Sequence, residues 1–390
     1  MTTDHELNLG ELGLDRGGHL LIGRELAKLA PGERLHVGGT DPNLSLHVPA
    51  WARSHGHQMA GPTTVVRGDA TERRLAGAQR AGGPSEVLDR PRASWGVAAR
   101  GALVEDGGPS LVTADLDHKD EVWSELAPKL YAQAAAAQWD PASAIDWTAP
   151  QLPDDVENAV VQVMTYLVEN EQAALMVPAR FLGRIHPHFR EVQQFLATQI
   201  ADEARHVEVF AKRAQMTGRP LGFSGAGGRA SLQTLFDEPD WGTASFLLST
   251  LGEGTFLSLL SFLVRWAPDP VTGQVARLAL QDEARHVAFS IGHLREHLAS
   301  NPRYRDRLRA AAERRHDALA ETSGLSEAVF DSLVLLAAGS WTPEALAQGW
   351  DRVMGLQREM DDGRQRRLVR LGFSDREAAE LSALHTKNFM

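Results

Sequence analysis

Asp202-Glu203-Ala204-Arg205-His206 and Asp282-Glu283-Ala284-Arg285-His286 are the same pentapeptide, written twice at an interval of 80 residues (282 − 202). Each copy lies in a stretch of helical periodicity and contains Glu-x-x-His. Residues three apart share a helix face, so each copy offers one carboxylate and one imidazole pointing the same way. Two such helices face to face bring together two carboxylates and two imidazoles, a donor mixture that suits iron or manganese.

Two-metal bundles need two more glutamates, one from each of two further helices. Glu171 lies 32 positions before Glu203 (203 − 171), and Glu253 lies 30 before Glu283 (283 − 253). The order Glu…Glu-x-x-His therefore repeats, as a duplicated helix pair would give. Periodicity selects Glu171 over Glu169. Val160, Met164, Leu167, Glu171, Ala174, Leu175 and Pro178 fall at three- and four-residue steps, and Glu169 is about 200° away from that stripe. Phe246, Glu253, Phe256, Leu257 and Leu260 share a face in the same way. A carboxylate inside an apolar stripe is costly unless paired, protonated or metal-bound.

The competing reading is a set of interhelical salt bridges with Arg205 and Arg285 as partners. A single Glu-x-x-His is weak. Glu313 and His316 form a third copy, but it encloses Arg314 and Arg315 on a helix that reads as solvated. The duplicated pair with both upstream glutamates is a far more specific constellation.

The pattern Glu171…Glu203-x-x-His206…Glu253…Glu283-x-x-His286 resembles the ferritin-like superfamily of di-metal (diiron) carboxylate oxidases and oxygenases. The resemblance covers about a third of the chain; it is specific for the site and not for the reaction. It implies two metal ions, Fe/Fe or Mn/Fe, with O2 as co-substrate and an external electron donor. It further implies that Glu171, Glu203 and His206 hold one side of the site, that Glu253, Glu283 and His286 complete it, and that some carboxylates bridge. Asp202 and Asp282 match the position whose carboxylate orients a ligand histidine, most naturally across the helix pair. Three subgroups are disfavoured. Phe210 stands where the ribonucleotide reductase subunit has its radical tyrosine. Ala279 stands where the p-aminobenzoate N-oxygenases have a third histidine. Leu257 stands where the multicomponent monooxygenases have a threonine. The runner-up is a rubrerythrin-type peroxide reductase or a metal-storage bundle; the former would need a cysteine-bound iron, and the chain has no cysteine.

The N-terminal 70 residues read strand (Leu7–Leu12), helix (Leu20–Leu29), strand (Arg34–Val37), helix (Val48–His55), strand (Thr63–Val66), a small α/β sandwich. Leu29-Ala30-Pro31-Gly32-Glu33, Thr40-Asp41-Pro42 and Val48-Pro49-Ala50-Trp51-Ala52-Arg53 are similar to the TusA/SirA sulfur carriers. The Cys-Pro-x-Pro of those carriers is replaced by Arg16-Gly17-Gly18-His19, so no persulfide can form. Docking or structure remains, with a non-enzymatic scaffold in sulfur metabolism as the reading of another class.

The expected architecture is mainly α: residues 1–70 as the small domain, 71–110 as a Gly/Pro/Arg-rich linker, and 111–390 as a ferritin-like four-helix bundle with extra C-terminal helices. The core helices are expected at Asp154–Val177, Phe189–Lys212, Ala244–Trp266 and Pro270–Leu298, with another at Glu121–Gln138 before them. Met216–Arg229 is expected as a Gly-rich crossover. Pro302–Leu319 is read as an exposed, Arg-rich helix. Ser326–Ala338, a helix starting at Thr342-Pro343-Glu344, and one capped by Ser374-x-x-Glu377 are expected to cover one side of the bundle or to form a homodimer contact. His186, His188, His293 and His297 join no constellation and read as structural.

Forty basic against 51 acidic residues give a net charge of −11, which argues against a nucleic-acid partner. Met1–Leu20 has no signal-peptide pattern; with no cysteine, a cytoplasmic location is expected. Phe246–Val264 is apolar and about long enough to span a bilayer, but Glu253 near its centre fits a buried ligand helix rather than a membrane segment. The small residues Gly252, Gly254 and Thr255 leave room for O2 or substrate. Phe210, Phe246, Phe256 and Leu257 suggest an apolar or aromatic small-molecule substrate.

Overall fold

The computed structural model describes residues 4–69, 77–148, 151–319 and 327–384. Chain contacts divide it into two units, one of residues 1–86 with 98–110 and one of 87–97 with 111–390.

In the first unit, β1 (Asp4–Asn8) runs parallel to β2 (Arg34–Gly38). β2 pairs antiparallel with β4 (Thr64–Val66), and β4 with β3 (Gln58–Met59), giving the order β1-β2-β4-β3. Leu35 and Val37 alternate with exposed neighbours and face α1 (Gly18–Ala27) and α2 (Leu44–Ser54) through Ile22, Leu26, Val48 and Ala52, the period-two pattern of a half-buried sheet. Gly56 closes α2 at φ +70°, a conformation that side chains rarely adopt. The first strand starts earlier than its sequence pattern indicates, and the two-residue β3 has no sequence signal. A hairpin of β5 (Gln79–Arg80) and β6 (Leu103–Val104) completes the unit.

The expected linker is thus no plain tether. Its 77–86 and 98–110 parts belong to the first unit, while 87–97 belongs to the second. There His188 accepts from the backbone N–H of Leu88, and Ala93 accepts from Leu111.

In the second unit, the helix expected at Glu121–Gln138 is two: α3 (Lys119–Val122) and α4 (Ala127–Ala136). Pro128 fits only a first turn, so the chain breaks ahead of it. The four core helices are α5 (Asp154–Leu182), α6 (Arg190–Gln215), α8 (Trp241–Trp266) and α9 (Pro270–Ser300). α5 runs past Pro178 because Phe181, fully buried, anchors its last turn. The crossover between α6 and α8 contains α7 (Ala226–Phe236) and is pinned to α5 by Gly222 N–H on Thr165 Oγ1 and Phe223 N–H on Gln162 Oε1.

Two apolar clusters fill the bundle, and each core helix passes from one to the other. α5 leaves the cluster of Met164 and Leu167 and enters that of Val177 and Phe181; α6 does the reverse, from Phe195 to Phe210. α8 runs from Phe246 to Phe262, and α9 from Val275 to Phe289. The order is up-down-down-up, which requires one long crossover, as ferritin-like bundles have. Glu171, Glu203, Glu253 and Glu283 each fall where their helix changes cluster.

α10 (Tyr304–Leu319), α11 (Glu327–Ala338), α12 (Pro343–Arg370) and α13 (Asp375–Ala383) follow. Thr342 caps α12 and the Ser374/Glu377 capping box starts α13. Ser326, the expected start of one of these helices, lies outside the described residues. α10 is not the exposed helix its arginines suggest: Tyr304, Leu308, Ala311, Arg315 and Leu319 are buried along one face. α8, Trp241–Trp266, is the described helix long and apolar enough to cross a membrane, and 72% of its most apolar window is buried within the protein.

Candidate metal centre

The duplicated motifs meet. Glu171, Glu203, His206 and Glu283 form one group of buried donors, and Glu203, Glu253, Glu283 and His286 form a second; within each, ligand atoms lie within 4.8 Å of one another. Glu203 and Glu283 are common to both. Nδ1 of His206 lies 3.1 Å from Glu203, 3.4 Å from Glu171 and 3.4 Å from Glu283. Nδ1 of His286 lies 3.0 Å from Glu203 and 3.5 Å from Glu283. The other ring nitrogens point away. Nε2 of His206 is 3.2 Å from Asp282, and Nε2 of His286 is 3.4 Å from Asp202. An Nε2–H donated to an aspartate leaves Nδ1 as the free lone pair facing the carboxylates.

The donor set fits two divalent cations. Four carboxylates balance the charge of two M²⁺ ions, and two imidazoles add one nitrogen to each group. Glu171 Oε1 and Glu253 Oε2 are buried with no hydrogen-bond partner among the described residues, a costly state that cation binding relieves. Burial, and then the charges of Glu203 and Glu283, hold the Glu171 carboxyl well above its ordinary range; burial, Glu283 and Glu203 do the same to Glu253. Burial alone would push His206 down, but its bonds to Asp282, Glu171, Glu203 and Glu283 raise it well above the ordinary imidazole value. The cluster therefore holds protons where it lacks metal cations.

The arginines do not serve the glutamates. Arg205 pairs with Asp202 and Asp282, and so does Arg285. Gln138 Nε2 donates to Asp202 and Trp139 Nε1 to Asp282. Neither of these residues, just past the end of α4, was foreseen at the centre. Gln199 Nε2, 3.3 Å from Glu253 Oε1, was also not foreseen. Glu313 and His316 stand on the outer side of α10, paired with Arg309 and Asp317.

Residues Phe246–Glu253 of α8 form a π-helical stretch, flanked by α-helix. Such stretches concentrate at functional sites. The wider turn shifts the face, so the seven-residue step from Phe246 no longer returns to that of Glu253. A narrow cavity of about 20 Å³ lies beside Glu171, Glu253 and Glu283, walled by Leu247, Leu248 and Phe256. Of the four expected lining residues only Phe256 borders it. Phe210 and Phe246 are core, and Leu257 lies on an outer groove. Gly252 borders the cavity as expected. Gly254 instead makes room for Arg367, whose guanidinium would overlap a Cβ there and whose Nε donates to Thr250 O at 2.6 Å. Thr255 Oγ1 donates to Leu251 O.

No protein-family model and no curated protein matches the chain. Solved structures do. A point variant of an R2-like ligand-binding oxidase with an aerobically reconstituted Mn/Fe cofactor is 21% identical, with a TM-score of 0.50 over 70% of this chain and 100% of that one. Another with a Mn/Fe cofactor, reconstituted anaerobically, is 20% identical, with a TM-score of 0.50 over 65% and 95%. A variant with an aerobically reconstituted Fe/Fe cofactor is 21% identical, with a TM-score of 0.51 over 70% and 100%. The chain shares the fold of these di-metal oxidases and carries buried Glu/His groups able to hold two metals.

Proposed function

We propose that the chain is an O2-activating di-metal oxidase or oxygenase, Fe/Fe or Mn/Fe, acting on a small, mainly apolar organic substrate with electrons from an external donor. The observation that carries this reading is the convergence of six separated donors into two overlapping groups beside an apolar cavity. Bound metals would supply redox chemistry toward O2. The chain's own residues do the rest. Glu203 and Glu283 hold the two groups at a fixed spacing, Asp202 and Asp282 set the imidazole tautomers, and Leu247, Leu248 and Phe256 keep water from the inner face.

The small N-terminal unit, as a thiol-free relative of the sulfur carriers, would present a substrate, an electron donor or a second subunit. The direct test of the whole reading is metal analysis followed by reduction and exposure to O2. Oxygen uptake should scale with bound metal and vanish in Glu203→Ala. Stoichiometric metal with no O2 uptake would leave a storage or structural bundle.

A further inference from the structure

Arg367 is a buried cation that the metal reading does not use. It projects from α12, is 7% exposed, and its Nη2 is buried with no hydrogen-bond partner among the described residues. Its Nε is spent on Thr250 O, the bond that braces the π stretch. Two other buried guanidinium groups are better served. Arg213 bonds Glu157 and Asp269. Arg315 places Nη1 on Thr234 Oγ1 and Nη2 on Ser231 Oγ, both at 2.8 Å. A buried charge without a counterion is costly and is not kept by packing alone.

Arg367 borders an open groove of 530 Å³ between α8 and α12 on the outer side of the bundle. That is the size of a small-molecule site. Three arginines border the groove, Arg265, Arg366 and Arg367, against Glu359, and Glu359 is taken by Arg265 at 2.8 Å. The groove is thus basic on a chain whose net charge is −11. Asp362 and Asp375 line a neighbouring groove with Arg370, which Arg366 also borders.

Two glycines shape the basic end. Gly254 lets the Arg367 guanidinium lie against α8, since a Cβ there would stand 2.3 Å from its Nε. At Gly363 the same point in space, where a Cβ would be, lies 3.1 Å from Arg367 Nη1 and 3.8 Å from Arg366 Nη2. Two guanidinium groups therefore converge over a residue with no side chain. Burial, and then the charges of Arg364, Arg366 and Arg370, lower Arg367 to about 9, and it remains protonated at neutral pH. An anion between the two groups relieves both the burial and the repulsion.

We propose that this groove binds the phosphoryl group of a small organic phosphate, with Arg366 and Arg367 taking its oxygens over Gly363 and with Leu257, Val264 and Leu280 against the attached body. Two converging guanidinium forks match a dianion that has several oxygens to share, where a single carboxylate would occupy only one fork. The groove is larger than a bare phosphate needs, and its apolar wall is continuous with the basic end. The site is separate from the donor cluster, so the inference stands whether or not the di-metal reading does.

The test is calorimetric titration of the full chain with phenyl phosphate and with inorganic phosphate at neutral pH, on samples of measured metal content. Phenyl phosphate should bind several-fold more tightly than inorganic phosphate, because only it reaches the apolar wall. Arg366→Glu should weaken phenyl phosphate about tenfold or more and Arg366→Gln by somewhat less, with metal content unchanged in both. Arg366 is the residue to change because it is exposed, whereas Arg367 also holds Thr250. If the charge reversal does not fold, Arg366→Gln still decides. Absence of binding by the wild-type chain overturns the proposal. So does binding that both Arg366 variants leave unchanged, because the anion would then sit on the metals or elsewhere. Equal binding of the two probes would overturn it as well, since the wall would then take no part.

Discussion

Nε2 of His206 lies 3.2 Å from Oδ2 of Asp282, a residue 76 positions away on the other helix pair, and Trp139 Nε1 donates to that same oxygen at 2.8 Å. Each pentapeptide thus orients the imidazole of its copy. Asp282→Asn keeps the shape and removes the charge that holds the Nε2 proton. Metal affinity or activity should fall roughly 10–100-fold, measured by competition titration against a chelator. Unchanged affinity would mean that Asp282 serves only Arg205 and Arg285.

The shared carboxylates separate a two-metal site from two independent ones. About two metal ions per chain are expected for the wild type. Glu203→Ala should lose both, because Glu203 belongs to both donor groups, whereas Glu253→Ala should spare the group around His206. Glu313→Ala and His316→Ala should change nothing. Elemental analysis of purified variants reads all four, and metal loss from the last two would sink the ligand assignment.

Far from the metals, Arg213 ties three helices: its guanidinium bonds Glu157 of α5 and Asp269 at the start of α9, and Nε reaches Thr272 Oγ1 at 2.9 Å. All are buried. Arg213→Met strands two carboxylates in the interior. A loss of about 3–5 kcal/mol is expected, the range for breaking one side of a buried pair, measured by denaturant titration. Replacing the pair with apolar residues as Arg213→Met/Glu157→Leu should recover part of it.

His293 gives a pH signature separate from the ligands. Burial, with a smaller push from His297, lowers its value to about 3, against 6.5 ordinarily. The unfolded chain therefore binds a proton that the folded chain refuses. The stability it contributes is full above pH 6.5 and is lost as pH falls from there toward 3. His293→Phe should flatten the stability curve across that window. Thermal melts at pH 7 and pH 5 on both proteins would show it; equal slopes would contradict the burial argument.

How much of this was legible depended on period. The six donors could be read because a three-residue step on a regular helix fixes a shared face, and the duplication removed chance matches. Arg315 was hidden by composition: α10 is rich in arginine, yet Tyr304, Leu308, Ala311 and Leu319 mark the buried stripe on which Arg315 sits. That stripe was available in the sequence. The π stretch was not, since its apolar residues fit an α-helix equally well, and the assignment of Phe246 to the cavity failed for that reason. The 87–97 strap has no periodicity, and its hold on the bundle unit comes from backbone bonds such as Leu88 to His188.

That strap changes how the small N-terminal unit must be removed. All six donors lie after Leu152, so a chain beginning at Gly108 should still bind two metals. It would lack residues 87–97, however, leaving the ring of His188 and the N–H of Leu111 without their present bonds to Leu88 and Ala93. Each lost bond costs on the order of 1 kcal/mol, so this chain should melt a few degrees lower. A chain beginning at Val87 keeps the strap and should melt as the full chain does in its bundle transition. Comparing the two separates fold from function. If both retain metal but consume O2 slowly with substrate, the small unit acts in docking or access. If the Val87 chain turns over at the full rate, the small unit is dispensable for the reaction. Loss of metal from the Val87 chain would instead make that unit part of the bundle's fold.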